Sequence, residues 1–195
     1  MIRIVWDWAA KTNGLSLNSM LLKGPDQLLP LNDVLYKFRE NKLGSAATYG
    51  RCFLQVLIAK EDQYCQLFLW KENPTDEAPS TYVTQVMTFG ACCSPSCAQY
   101  IKNANAEKYA DKHPRAVEAI TKQHCVDDML LSVETEEEAI QLAQNVRDIH
   151  ATAGFEIRNW ISNSPAVIQA LEEEKTEQKS LNIGSELATE KVLGM

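Results

Sequence analysis

The sequence has 195 residues, of which 45% are hydrophobic and 23% charged. That is enough apolar material for a packed core, with one domain as the default expectation, and too little charge excess for wholesale disorder. Acidic residues outnumber basic ones 26 to 19, for a net charge of −7, which argues against a module that grips nucleic acid through a general basic surface. No run approaches the ~20 apolar residues of a membrane helix. The opening MIRIVWDWAAK lacks the apolar stretch and cleavage site of a signal peptide, so an intracellular protein with no membrane partner is expected.

In chain order, Met1 to about Trp8 is apolar and β-prone, and Asn13-Gly14 signals a turn. Gly24-Pro25-Asp26 is a second break. Asp26 is placed to cap a helix running to about Glu40, with Leu28, Leu31, Leu35 and Phe38 at helical spacing and Pro30 in its first turn. Two β-prone runs follow, CFLQVLIA and YCQLFLW, divided by the polar residues 60–63. After the proline-containing loop 73–80, TYVTQVMTF alternates apolar and polar residues as a half-buried strand does. Ser94-Pro95 reads as a cap and first helical position, opening a helix to about Ala110.

Past His113-Pro114, a short helix (Ala116 to Ile120) leads to a hairpin: KQHCV, then Asp127-Asp128, then MLLSV. Thr135 and Glu138 have the spacing of a capping box. Ala139, Leu142, Ala143, Val146 and Ile149 form the apolar stripe behind them, and Gly154 ends the helix. FEIRNW is a last strand. The acidic groups at 134–138 and 172–174 read as solvated helix faces. Strands and helices mix without a regular βαβ rhythm, so the class is α+β with a largely antiparallel sheet.

Cys52, Cys65, Cys92, Cys93, Cys97 and Cys125 include no CxxC pair. A zinc site built from the 92–97 cluster with His124-Cys125 as distant ligands would usually show that spacing, and free thiols are expected instead. The adjacent carboxylates Asp127 and Asp128 carry the main chemical signal. At a tight turn both can converge, and the concentrated negative charge suits Mg²⁺ shared with substrate phosphates. Taken alone, an acidic pair in a turn is more often ordinary solvated turn chemistry.

The context extends the reading. HCVDDMLLSVET resembles the Tyr-x-Asp-Asp motif of reverse transcriptases, with Cys125 where tyrosine is usual. FGACCSPSCAQY resembles the loop and helix that shape their nucleotide pocket. GFEIRNWISNS resembles the strand after their palm helix, and RIVWDWAAKTNGLSLNSMLLKGPDQL resembles the fingers-to-palm entry. These motifs, in this order, resemble the BEL/Pao class of long-terminal-repeat retrotransposons along essentially the whole chain.

The resemblance implies a palm-like antiparallel sheet packed on helices, with a ferredoxin-like core and partial fingers at the N-terminus. It implies a fingers/palm fragment over residues 1–175 and a truncated linker over 176–195, towards thumb and connection regions outside the sequence given. It implies that Asp127 and Asp128 are catalytic metal ligands for Mg²⁺. Phe53 would be the aromatic that excludes ribonucleotides, and Phe89 and Gly90 would form the nucleotide-pocket floor. The partners in the parent family would be an RNA/DNA primer-template and a deoxynucleoside triphosphate.

One departure bears on activity. The first metal-binding aspartate of the family precedes that aromatic by five residues, and here Thr48 stands in its place. A neutral hydroxyl cannot replace an anionic ligand bridging two cations. With Thr48 there, a degenerate, inactive polymerase fragment is expected; the resemblance implies nucleic-acid binding, and the net charge of −7 makes that expected binding weak. A non-catalytic nucleic-acid- or protein-binding module is the alternative, and simple core packing is the alternative for Phe53 and Phe89.

Overall fold

The computed structural model describes residues 5–50, 52–75, 77–125 and 127–176. The helices are α1 (Leu17–Met20), α2 (Leu31–Phe38), α3 (Ser94–Glu107), α4 (Pro114–Lys122), α5 (Glu136–Ala151) and α6 (Pro165–Thr176). The strands are β1 (Leu43–Gly50), β2 (Leu67–Trp70), β3 (Ser80–Val83), β4 (His124–Cys125), β5 (Asp128–Val133) and β6 (Glu156–Ser162). The class is α+β, with antiparallel sheets and packing helices, as expected. The chain divides into two compact units, Met1–Asp26 with Arg51–Ala98, and Gln27–Gly50 with Gln99–Met195. The expected linker lies outside the described residues from 177 onward.

In the second unit, four strands form an antiparallel sheet in the order β4-β5-β1-β6. Numbered along the chain, this is a β-α-β-β-α-β arrangement with the split crossover of a ferredoxin-like core. Small residues make β1 a central strand: Ser45, Ala46 and Ala47 are buried between both neighbours. Side chains alternate across its faces. Ala47 and Tyr49 share one face with Met129 of β5 and His124 of β4, while Ala46 and Thr48 share the other with Asp128 and Leu130. On the second face, α2 packs Leu35 and Phe38 around buried Val34, Ala46 and Leu130.

The helices on the first face begin as local chemistry dictates. Thr135 Oγ1 accepts the Glu138 N–H at 3.2 Å, and Glu136, Glu137 and Glu138 occupy the first turn of α5, where the helix dipole favours acid. Ala139, Leu142, Ala143, Val146 and Ile149 are buried. Gly154, at φ 73°, follows the helix end. Pro114 opens α4, which is longer than the expected Ala116–Ile120 and buries Ala116, Val117, Ala119 and Ile120.

In the first unit, Asn13 (φ 52°) and Gly14 (φ 81°) form the tight turn expected of that pair, bridging Thr12 and Leu15. The paired strands β2 and β3 carry an aromatic row in which Trp8, Trp6, Phe68 and Tyr82 meet in succession.

Three expectations are corrected. The α2 helix begins at Leu31, with Pro30 at its cap and no side-chain cap bond, so Asp26 does not start it. The physical reason is that proline drives the preceding residue out of the helical region, which stops α2 from extending back through Leu29. The run CFLQVLIA is not a strand: Phe53–Gln55 is a 3₁₀ turn, and pairing is limited to an isolated Leu57–Val86 bridge. Val5–Trp8 is not a strand either, and the rest of that expected run, residues 1–4, lies outside the described residues.

Candidate active site

The hairpin of β4 and β5 presents the acidic pair. Cys125 is directly paired with Asp128, and Asp127 lies in the turn. On the other side of β5, Asp128 is paired with Thr48 of β1. The Thr48 hydroxyl donates to the Asp128 carboxylate across this pair at 2.9 Å. The backbone carbonyl of Asp127 accepts the Tyr49 N–H at 2.8 Å. Two consecutive residues at the end of β1 therefore hold the two aspartates, Thr48 by its side chain and Tyr49 by its backbone.

Both aspartates are half-buried. The Cys125 thiol beside them is pushed above its ordinary pKa by burial, and then by the charge of Asp128. Among the described residues, no group of three or more His, Cys, Asp or Glu side chains is gathered as a metal cage. The donor set at the tip is two carboxylates and one hydroxyl. These are oxygen groups of the kind that hard cations accept alongside ligands from substrate or water. The set does not fit a pair of cations, which would need a third carboxylate where Thr48 stands.

The three residues expected at the nucleotide pocket lie together in the other unit. The rings of Phe53 and Phe89 meet edge to face, with centroids 4.9 Å apart. Gly90 follows at φ 104°, and a Cβ there would lie 2.1 Å from the Trp6 carbonyl oxygen. This close backbone approach, joined by Asn18 Nδ2 donating to the Gly90 carbonyl at 2.9 Å, accounts for the glycine. It is the chain's own backbone that uses the space over Gly90.

A second group of polar residues had no signal as a unit in the sequence. Behind the sheet, the Tyr49 hydroxyl meets Nε2 of both His124 and His150. The tyrosine ring is tilted to His124 and edge-on to His150, at 4.9 and 4.8 Å between centroids. All three side chains are buried. Burial, then the nearby charge of Lys102, holds the His124 imidazole well below its ordinary pKa and takes His150 down to about 3. His124, weighed in the sequence as a distant zinc ligand, is instead a hydrogen-bond partner of Tyr49. All six cysteines are free thiols.

No protein-family model matches the chain, and no curated protein matches it in sequence. Among solved structures it is similar to a foamy viral protease–reverse transcriptase in complex with double-stranded DNA. The TM-score is 0.58 and the identity 21%, over 80% of this chain and 23% of that one. The fold is reverse-transcriptase-like. The chain spans less than a quarter of that neighbour's length. Within this reverse-transcriptase-like fold, Thr48, Asp127 and Asp128 share one end of the four-stranded sheet. No helix among the described residues is long and apolar enough to cross a membrane.

Proposed function

We propose that this chain is the fingers and palm portion of a reverse transcriptase of BEL/Pao type, and that it has lost polymerase activity. The observation that carries this reading is the 2.9 Å bond from Thr48 to Asp128 across the β1–β5 pair. It supports Thr48 as the position of a former third acidic ligand, held against the two that remain. The ancestral reaction would be RNA-directed DNA synthesis, in which a primer 3′-hydroxyl attacks an incoming deoxynucleoside triphosphate.

In this reading Asp127 and Asp128 would hold one Mg²⁺, which when bound would supply positive charge to substrate phosphates. Thr48 contributes a neutral donor and turns one Asp128 oxygen towards itself. Two-metal phosphoryl transfer lacks its bridging anion. The first compact unit would be the fingers portion, with Phe53, Phe89 and Gly90 as what remains of the nucleotide pocket. An intracellular setting and a primer-template partner belong to the same proposal. The net charge of −7 keeps the expected nucleic-acid affinity no tighter than the ~10⁻⁴ to 10⁻⁶ M of non-specific contacts at physiological salt.

The test is primer extension by the purified chain on an RNA template with Mg²⁺ or Mn²⁺. The expected result is no incorporation above background, and template-dependent incorporation would refute the loss of activity. A second reading, a non-catalytic binding module, is favoured by exposed aromatics in the first unit: Tyr64 is 74% exposed and Trp70 55%. Such rings stack on unpaired bases. Nanomolar binding of a labelled RNA–DNA hybrid or single strand, measured by anisotropy at ~150 mM salt, would put that reading first.

A further inference from the structure

The buried polar group behind the sheet has a proton order dictated by its partners. The Ala119 carbonyl can only accept, so the imidazole nitrogen facing it, Nδ1 of His124 at 3.2 Å, carries the hydrogen. His124 is neutral, so its Nε2 is an acceptor and takes the Tyr49 O–H. The phenolic oxygen, having donated its one hydrogen, accepts from Nε2–H of His150. Nδ1 of His150 is then a bare acceptor, and it is buried without a hydrogen-bond partner. The reverse order would aim a second acceptor at the Ala119 carbonyl. The chain of donors therefore runs one way, from His150 through Tyr49 and His124 to Ala119.

This chain joins four elements: β1, β4 and α5 meet at one oxygen atom through Tyr49, His124 and His150, and α4 is joined through the bond from His124 to Ala119. The strands it joins, β1 and β4, both run to the acidic tip. The backbone N–H of Tyr49 holds the Asp127 carbonyl, and the preceding side chain holds Asp128. Ring packing alone would resist sliding of β1 only weakly. Two directional bonds to a single hydroxyl fix where along the strand Tyr49 sits, and with it where Asp127 and Thr48 sit.

We propose that Tyr49, clamped between His124 and His150, is a positioning residue for the Asp127–Asp128 tip. The proposal deepens, and rests on, the reading of that tip as the metal-binding end of the palm. A phenylalanine in its place keeps the ring but leaves two buried imidazole nitrogens without their shared partner, which loosens the strand end while the middle of the sheet holds.

The experiment has two parts on the full chain. In the wild type at neutral pH, long-range ¹H–¹⁵N spectra should show hydrogen at Nδ1 of His124 and at Nε2 of His150. The opposite tautomer at His124 overturns the proposal. In Tyr49→Phe, amide exchange at residue 49 should rise ~10-fold relative to Ala46 in the same strand. Binding of Mn²⁺, read as broadening of the Asp127 and Asp128 amides, should weaken by a similar factor. Exchange unchanged at residue 49, or raised equally at Ala46, also overturns it. If Tyr49→Phe does not fold, His150→Leu removes one arm of the clamp and is read by the same exchange ratio, with a smaller rise expected. Mn²⁺ that leaves the wild-type tip amides unbroadened defeats the metal reading instead, since the tautomers and the exchange ratio judge the positioning without metal.

Discussion

Thr48 and Tyr49 are chain neighbours whose side chains leave the sheet on opposite faces, and the two faces are held in different ways. On the Tyr49 face, α5 and its neighbours bury Tyr49, His124 and His150, so their polar atoms depend on partners inside the protein, which all but Nδ1 of His150 find. On the Thr48 face α2 covers Ala46 and Leu130, but Asp128 at the strand end is only half-buried and open to water. The same strand end thus has a closed back and a tip open to solvent. A substitution at the solvated tip can therefore change its charge without disturbing the core. The neutral Thr48 adds no charge repulsion to Asp128 there, whereas any loss at the back leaves a void or an orphaned donor.

The contrast can be broken most easily from the back. Met129 is fully buried beside Ala47 and His124, and Met129→Ala should cost about 2–5 kcal/mol in a urea melt. A loss under ~1 kcal/mol would mean that the back is not close-packed.

Acid should act on the same face. Burial lowers both imidazoles in the folded protein, His150 to about 3, against ~6.5 in the unfolded chain. The unfolded chain therefore binds more protons in this window, and stability is full above about pH 6.5 and falls as pH drops towards about 3. The slope approaches ~1.4 kcal/mol per pH unit for each histidine. Equal denaturation midpoints at pH 7 and pH 5 would contradict a neutral, buried pair.

On the solvated face the effects shrink. Thr48→Asp sets a carboxylate directly opposite Asp128 and should cost on the order of 1 kcal/mol without divalent cations. Millimolar Mg²⁺ should recover that loss in a thermal melt, while the wild type shifts less. No Mg²⁺ dependence in the variant would show that the third carboxylate cannot complete the site. The smallest effect is expected at Arg115, whose ion pairs with Glu118 and Glu138 are exposed. Arg115→Ala should change stability by no more than ~0.5 kcal/mol.

Much of the fold was legible where the cause is local. Thr135, the three glutamates after it and the stripe from Ala139 to Ile149 are enough to start and orient α5. Asn13-Gly14 announced its turn for the same reason. The central strand β1 was not legible in composition, because LGSAATYG holds small, weakly β-prone residues. Its position between β5 and β6 selects small side chains, and only the family resemblance drew attention to Thr48. CFLQVLIA misled in the opposite direction: its β-prone residues bend into a 3₁₀ turn at Phe53–Gln55, as tertiary context overrides strand propensity.

Within the candidate site, the sequence by itself determined the acidic pair, its hairpin and the neutral residue that faces it, because these depend on neighbours in the chain and on one aligned motif. Only the tertiary structure decided that Tyr49, His124 and His150 share a hydroxyl, since they lie 75 and 101 residues apart and no period or spacing links them. It also decided that Gly90 serves the Trp6 backbone. Hydrogen bonds between distant segments are settled by how strands register and helices pack, and that information exists only once the whole core has formed.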